Sequence, residues 1–325
     1  GLRPVIELQS APGPGQPDSA QMFQIVGGLL RLQNVELHVT VRSARCALFS
    51  LSQSAELKLE GVSIVVSNPD GRQAAVAEFL AAGTDMQAMM PDSMRREQVA
   101  LDWSDCLIRG ECDLLLLESL EPATVRLENV AAAVRGAFAR VRGNIVPEGR
   151  ISDDRKLSLQ LRHLTALLDD GLIRVDTGFE FNREFVPIVV ECDDSAIVVR
   201  PKEPLVEMIG NQEISVLQQR LRMRSSWSVF DVSGPVWEIT QPLEGKREVL
   251  DFSALNMGNL IENDLLEQPV HWDEIRFPLL TEADFRLRTA AGQSNRNSST
   301  GVQFGDRFPP ADPLAASAPR DLDLP

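Results

Sequence analysis

The chain has no tyrosine, and aromatic residues of all kinds fill only 5% of its 325 positions. Sugar-binding grooves favour flat aromatic platforms, so few side chains remain from which to build one. Cysteine is scarce as well. Cys46, Cys106, Cys112 and Cys192 are too few for a disulfide scaffold and lack C-x-x-C spacing. Zinc needs four ligands at fixed spacings, which the scattered His38, His163 and His271 do not supply, so no metal or cofactor is expected. The cysteines read instead as small buried apolar residues. No run of 18 apolar residues exists, which excludes a membrane-crossing helix. Basic residues are outnumbered 32 to 47, leaving a net charge of −15 with no basic cluster, so nucleic acid and anionic membranes are not expected partners. There is no G-x-S-x-G for acyl transfer. Gly-rich phosphate loops are also missing, since "APGPGQP" is broken by proline and "GGLLRL" opens a strand.

What is present is a recurring break in strand alternation. In "LLRLQNVELHV" Leu30 and Leu32 share a face, yet the apolar set resumes at Val35 rather than Asn34 and continues through Leu37 and Val39. The same grammar recurs around Gly61 in "LKLEGVSIVV", Asp105 in "LDWSDCLIRG" and Asn129 in "VRLENVAAAV". It recurs again around His163 in "LQLRHLTALL" and Asp194 in "VECDDSAIVV". Of the thirty flanking positions that should be apolar, only Gly110 and Ser195 fail. Gly, Asn, Asp and His are the residues that tolerate positive φ, so Asn34, Gly61, Asp105, Asn129, His163 and Asp194 are expected to be structural corners.

Two short strands meeting at a bend, spaced at 27, 44, 24, 34 and 31 residues, describe coils of an all-β, right-handed parallel β-helix, a single-stranded solenoid. The interval of 44 is expected to hold two coils, with "AVAEFL" (75–80) as the unmarked strand. A leucine-rich repeat would place two residues between the second Leu and Asn, where this chain has one. A β-sandwich would not need the same corner chemistry six times. Residues 1–243 are expected to form the β-helix and 244–288 an irregular C-terminal cap. Residues 289–325, rich in Gly, Ser, Asn and Pro, are expected to be a flexible or extended tail. "TDMQAMMPDSMRREQ" (84–98) reads as a Met-rich loop packing against the coil wall or covering an open end, and "RMRSSWSVFDVSGPVWEI" as strands without the flip, whose Trp227, Phe230 and Trp237 pack on the last coils. Because "RPVIEL" reads as a strand with only "GL" before it, the chain is expected to be part of a longer polypeptide.

The corners "LRLQNVELHV" and "VRLENVAAAV" resemble those of the pectate-lyase-like superfamily of right-handed β-helices. More narrowly, "VALDWSDCLIRG", "LRHLTALLDDGLIRV" and "FVPIVVECDDSAIVV" look like the β-helical region of large uncharacterised bacterial proteins, some carrying a serine/threonine kinase module upstream. The likeness covers roughly residues 3–240 and implies an extracytoplasmic, cell-envelope location. Catalytic signals do not accompany it. Polygalacturonase-type hydrolysis uses N-T-D, D-D, G-H-G and R-x-K motifs on successive coils, and here only D-D pairs (153–154, 169–170, 193–194) and Arg200/Lys202 occur. Adjacent carboxylates on a strand point to opposite faces, so a D-D dipeptide alone does not bracket a glycosidic oxygen. A calcium cage from Asp102, Glu111 and Asp113 beside Arg109 is conceivable, but these read as outward, solvated residues. His163 as a corner held by main-chain contacts outweighs His163 as a base. The expected function is therefore a noncatalytic structural or ligand-recognition region of a larger bacterial envelope protein, with an unknown glycan or protein ligand. The alternative is a lyase or hydrolase acting on acidic or neutral glycans.

Overall fold

A computed structural model describes residues 3–10, 18–80, 98–145, 155–178, 183–226, 228–251, 261–262 and 266–267. It is all-β, built on three long sheets of nine, nine and eight strands, with one six-residue helix, Ile214–Gln219, among these residues. The chain visits the sheets in a fixed cyclic order. In one circuit Glu56–Glu60 lies in the first sheet, Ser63–Ser67 in the second and Gln73–Phe79 in the third. The next circuit is Val99–Ser104, Leu107–Gly110 and Asp113–Leu117, each strand parallel to its predecessor. Pairing is parallel throughout these three sheets except where Lys246–Leu250 turns back on Trp237–Gln241. This rules out an antiparallel sandwich.

Alternation explains the core. Leu30, Leu57, Leu101 and Val125 occupy one register row of the first sheet, and the last three are fully buried. One continuous apolar cluster runs from Ile25 to Ile239 between the sheets. Each fully buried Leu or Val contributes roughly 1.5 to 3 kcal/mol, and the rows stack like on like because parallel register repeats the inward positions from circuit to circuit.

The bend between first and second sheets spans two residues, and the chain turns at the first position. Asn34, Gly61, Asp105, Asn129, His163 and Asp194 occupy it with φ between 48° and 62°. Each donates its N–H to the carbonyl of the residue preceding the bend in the next circuit, at 2.9 to 3.1 Å. Positive φ costs an ordinary L-residue about 1 to 2 kcal/mol, which Gly avoids by having no Cβ and which Asn, Asp and His tolerate better than other types. Asn129 donates through Nδ2 to Asp105 Oδ1 at 2.5 Å, and a Cβ on Gly61 would lie 2.6 Å from Asn34 Oδ1. The two positions that break the apolar rule have their own reasons. Gly110, at φ 134°, has the Val66 carbonyl oxygen 2.0 Å from where a Cβ would sit. Buried Ser195 donates to the Asp193 carbonyl and accepts from the Leu164 N–H, while Ser228 repeats the contact one circuit on.

Three expectations need correction. Each circuit has three strands, not two. The interval of 44 holds one circuit, because Leu107 pairs directly with Ser63; Gln73–Phe79 is that circuit's third strand, and its extra length falls in 81–97, outside the described residues. The third sheet escaped the pattern because Arg45–Ser52 and Asp113–Leu117 are buried on both faces and so lose their alternation. Finally, Leu221–Ser226 and Val229–Asp231 form another first-sheet and second-sheet pair, with Phe230 and Trp237 buried as expected and Trp227 outside the described residues. The Met-rich loop lies mostly outside them too, as do most of 244–288 and all of 289–325.

Candidate functional site

Between the second and third sheets the chain turns through two residues in one circuit (111–112) and as many as six in another (200–205). These turns leave an open groove of about 510 Å³. Its polar lining comes from three circuits: Asn68 and Arg72, then Glu111 and Asp113, then Arg135, Arg140 and Arg142, with Asp170 beyond. The floor is built by main-chain geometry. Asn68 is buried and organises "SNPDGRQ", accepting the Arg72 N–H at 3.0 Å and donating to the Arg72 and Glu111 carbonyls at 2.6 and 3.2 Å. Gly136 leaves room for Asp113, whose Oδ1 would lie 2.4 Å from an added Cβ.

The charges in the groove are consumed by one another. Arg140 donates to both oxygens of Asp113 at 2.6 and 3.0 Å and to Asp170 at 2.8 Å, spanning three successive circuits. Arg135 pairs with Glu111 at 3.1 Å, Arg72 with Asp70 at 3.2 Å and Arg142 with Glu118 at 3.2 Å. Arg174 extends the network to Glu207 at 2.8 Å, while Arg45 joins Glu118 to the fully buried Glu78. Burial works against the charge on Arg140, but the hydrogen bonds and charges of Asp113 and Asp170 outweigh it and raise its pKa. Burial pushes the carboxyl of Glu207 up, with Arg174 opposing, and that of Asp169 up, with Arg200 at 3.5 Å opposing. Removing one partner from such a network leaves a charge uncompensated, so the network holds three circuits in register more than it offers free groups.

The six corner residues lie on a different edge of the sheets, between first and second, and they stack with one another rather than lining the groove. Asp102, Glu111 and Asp113 do not converge. Asp102 is exposed on the first sheet, whereas Glu111 and Asp113 line the groove, and Asp113 is buried rather than solvated as expected. Among the described residues no group of three or more His, Cys, Asp or Glu is placed to hold a metal ion. The four cysteines are all buried free thiols. Burial pushes Cys106 up to about 12 and Cys192 to about 11, far from thiolate chemistry near neutrality. No described helix is long and apolar enough to cross a membrane. Asp153 and Asp154 lie outside the described residues.

Arg140 and Arg174 were missed by local reading because no motif surrounds them. A signal existed nonetheless: each lies eleven residues after its corner, at Asn129 and His163, so counting from the corners places them side by side as observed. No protein-family model, curated protein or solved structure matches this chain.

Proposed function

We propose that this chain is a right-handed parallel β-helix of the pectate-lyase-like kind that serves as a noncatalytic structural or ligand-recognition region of a larger bacterial envelope protein. The cyclic visiting of three parallel sheets supports the architecture. Right-handedness is the sense that general chain sterics favour, since parallel strand–crossover–strand units are right-handed in about 98% of cases. The envelope assignment rests on the sequence resemblance alone.

The observation that carries the noncatalytic reading is Arg140 held between Asp113 and Asp170. A glycoside hydrolase needs one carboxyl to deliver a proton and a second to attack or to activate water. Here the carboxylate oxygens nearest the groove already accept guanidinium N–H donors, and moving them onto a substrate would break a network that spans three circuits. A preorganised polar floor of this kind suits recognition of a polar ligand, a glycan or an extended protein segment, whose hydroxyl or amide groups add to the network without dismantling it.

The test is incubation with acidic and neutral polysaccharides, following unsaturated and reducing ends, alongside affinity electrophoresis in the same polymers. Retarded migration without product is the expected result. Release of either kind of end that disappears in Asp113→Asn would overturn the noncatalytic reading in favour of the lyase or hydrolase.

A further inference from the structure

Pairing in the groove exhausts the carboxylates before it exhausts the arginines. Both oxygens of Asp113 are taken, Oδ1 by the Ala137 N–H at 2.8 Å and by Arg140, and Oδ2 by Arg140. Both oxygens of Glu111 are taken too, one by Arg135 at 3.1 Å and the other by the Asn68 N–H at 3.1 Å. A guanidinium is a fork of N–H donors with no acceptor. Arg72 engages only Nε and Nη1, Arg140 only Nε and Nη2, and Arg142 only Nη1 with partners among the described residues. Their side chains stay 33%, 19% and 37% exposed. The groove therefore offers donors and calls for acceptors.

Charge points the same way. Four arginines and three carboxylates line the groove, on a chain where acidic residues outnumber basic ones 47 to 32. A densely charged polyanion such as nucleic acid still meets the −15 of the whole molecule. Charges farther off than about 8 Å are largely screened in physiological salt, so a ligand with few, spaced carboxylates feels mainly the arginines.

Shape selects among such ligands. The two-residue turn 111–112 lies between the longer turns 68–72 and 135–138, leaving a notch whose walls stand two strand spacings apart, about 10 Å. One extended chain fits that width. Every turn on this edge from 41–44 to 232–236 is among the described residues, so the notch belongs to the stacked circuits and not to an end of the chain. No aromatic residue lines it, which removes the platform that a sugar ring would stack on. We propose that the groove takes an extended acidic peptide segment, whose carboxylates accept from Arg72 on one wall and from Arg140 and Arg142 on the other; this rests on the recognition reading above.

Fluorescence anisotropy of the 325-residue chain with a short labelled peptide of alternating serine and aspartate tests this. Saturable binding is expected, at least about tenfold tighter than that of the same peptide with asparagine for aspartate, and weaker as salt rises. Arg72→Gln and Arg142→Gln should each loosen it about fivefold, with far-ultraviolet circular dichroism unchanged. The comparison of peptides needs no variant and decides the matter even if one of these fails to fold. Equal binding of the two peptides, or acidic-peptide binding indifferent to both folded variants, would overturn the proposal. So would the absence of peptide binding. If a polysaccharide still retards the chain in that case, the recognition reading survives with a glycan as ligand; no binding of either kind removes both.

Discussion

The two bends that flank the second sheet obey different rules. The bend entering it spans two residues at each of the six corners from Asn34 to Asp194, the first of them at positive φ and hydrogen-bonded through its N–H to the next circuit. The bend leaving it varies from two to six residues and is held by guanidinium–carboxylate pairs between residues 24 to 33 positions apart, such as Arg135–Glu111 and Arg174–Glu207. A bend made by backbone conformation must recur in kind, because only a few residue types accept that conformation. A bend made by side chains can change length from circuit to circuit as long as opposite charges still meet. The first stacks circuits; the second carries the groove.

Substitutions should rank the two bends. The largest effect is expected at Gly110, which joins the second sheet to the groove: Gly110→Val drives a side chain into the Val66 carbonyl at a φ no Val accepts, costing roughly 3 kcal/mol or more. A denaturant midpoint close to the parent's would show that the main-chain approach is not tight. Next comes Arg140→Met, which strands the buried Asp113 with part of its compensation removed. Stability should fall by about 2 to 4 kcal/mol and by much less in Asp113→Asn/Arg140→Met, a non-additivity readable in a double-mutant cycle. Strictly additive losses would mean that the pair does not couple the circuits.

At the tight bend Asn129→Val should cost about 1 to 3 kcal/mol through strain, and Asn129→Gly clearly less. Equal melting temperatures for Asn129→Val and the parent would remove the backbone explanation. The smallest effect concerns pH. Glu36 accepts a hydrogen bond from His38 at 2.6 Å, which together with nearby positive charge holds its pKa below the usual carboxylate value despite partial burial. A lowered carboxylate pKa stabilises the fold above the unfolded value and loses that contribution as pH falls through the folded one. Glu36→Gln should therefore be less stable than the parent by under about 1 kcal/mol near neutral pH, and the gap should close in acid. A gap that widens in acid would reverse the sign of the interaction.

Which features could be read in advance follows the same division. The parity breaks coincide with the six positive φ angles because a strand that turns through one residue must exchange faces, and the exchange is printed in the order of apolar residues. The third strand was harder to recognise in the earlier circuits, where Phe49, Leu51 and their neighbours are covered on both sides and leave no period to read. The groove was harder still. Asp113 looked like a solvated carboxylate from its neighbours, and only the stacking of circuits delivers Arg140 to it from 27 positions away.

By itself, then, the order of residues determined the strands, their inward faces and the places where backbone must turn left-handed, because each depends on steric limits within a few consecutive residues. The tertiary structure alone decided that three sheets rather than two enclose the core, that the 44-residue interval is a single circuit, and that Asp113, Arg140 and Asp170 meet. Those outcomes depend on register between distant segments. Register is set by summing small packing and hydrogen-bond energies over a whole ladder, and no short stretch of sequence contains that sum.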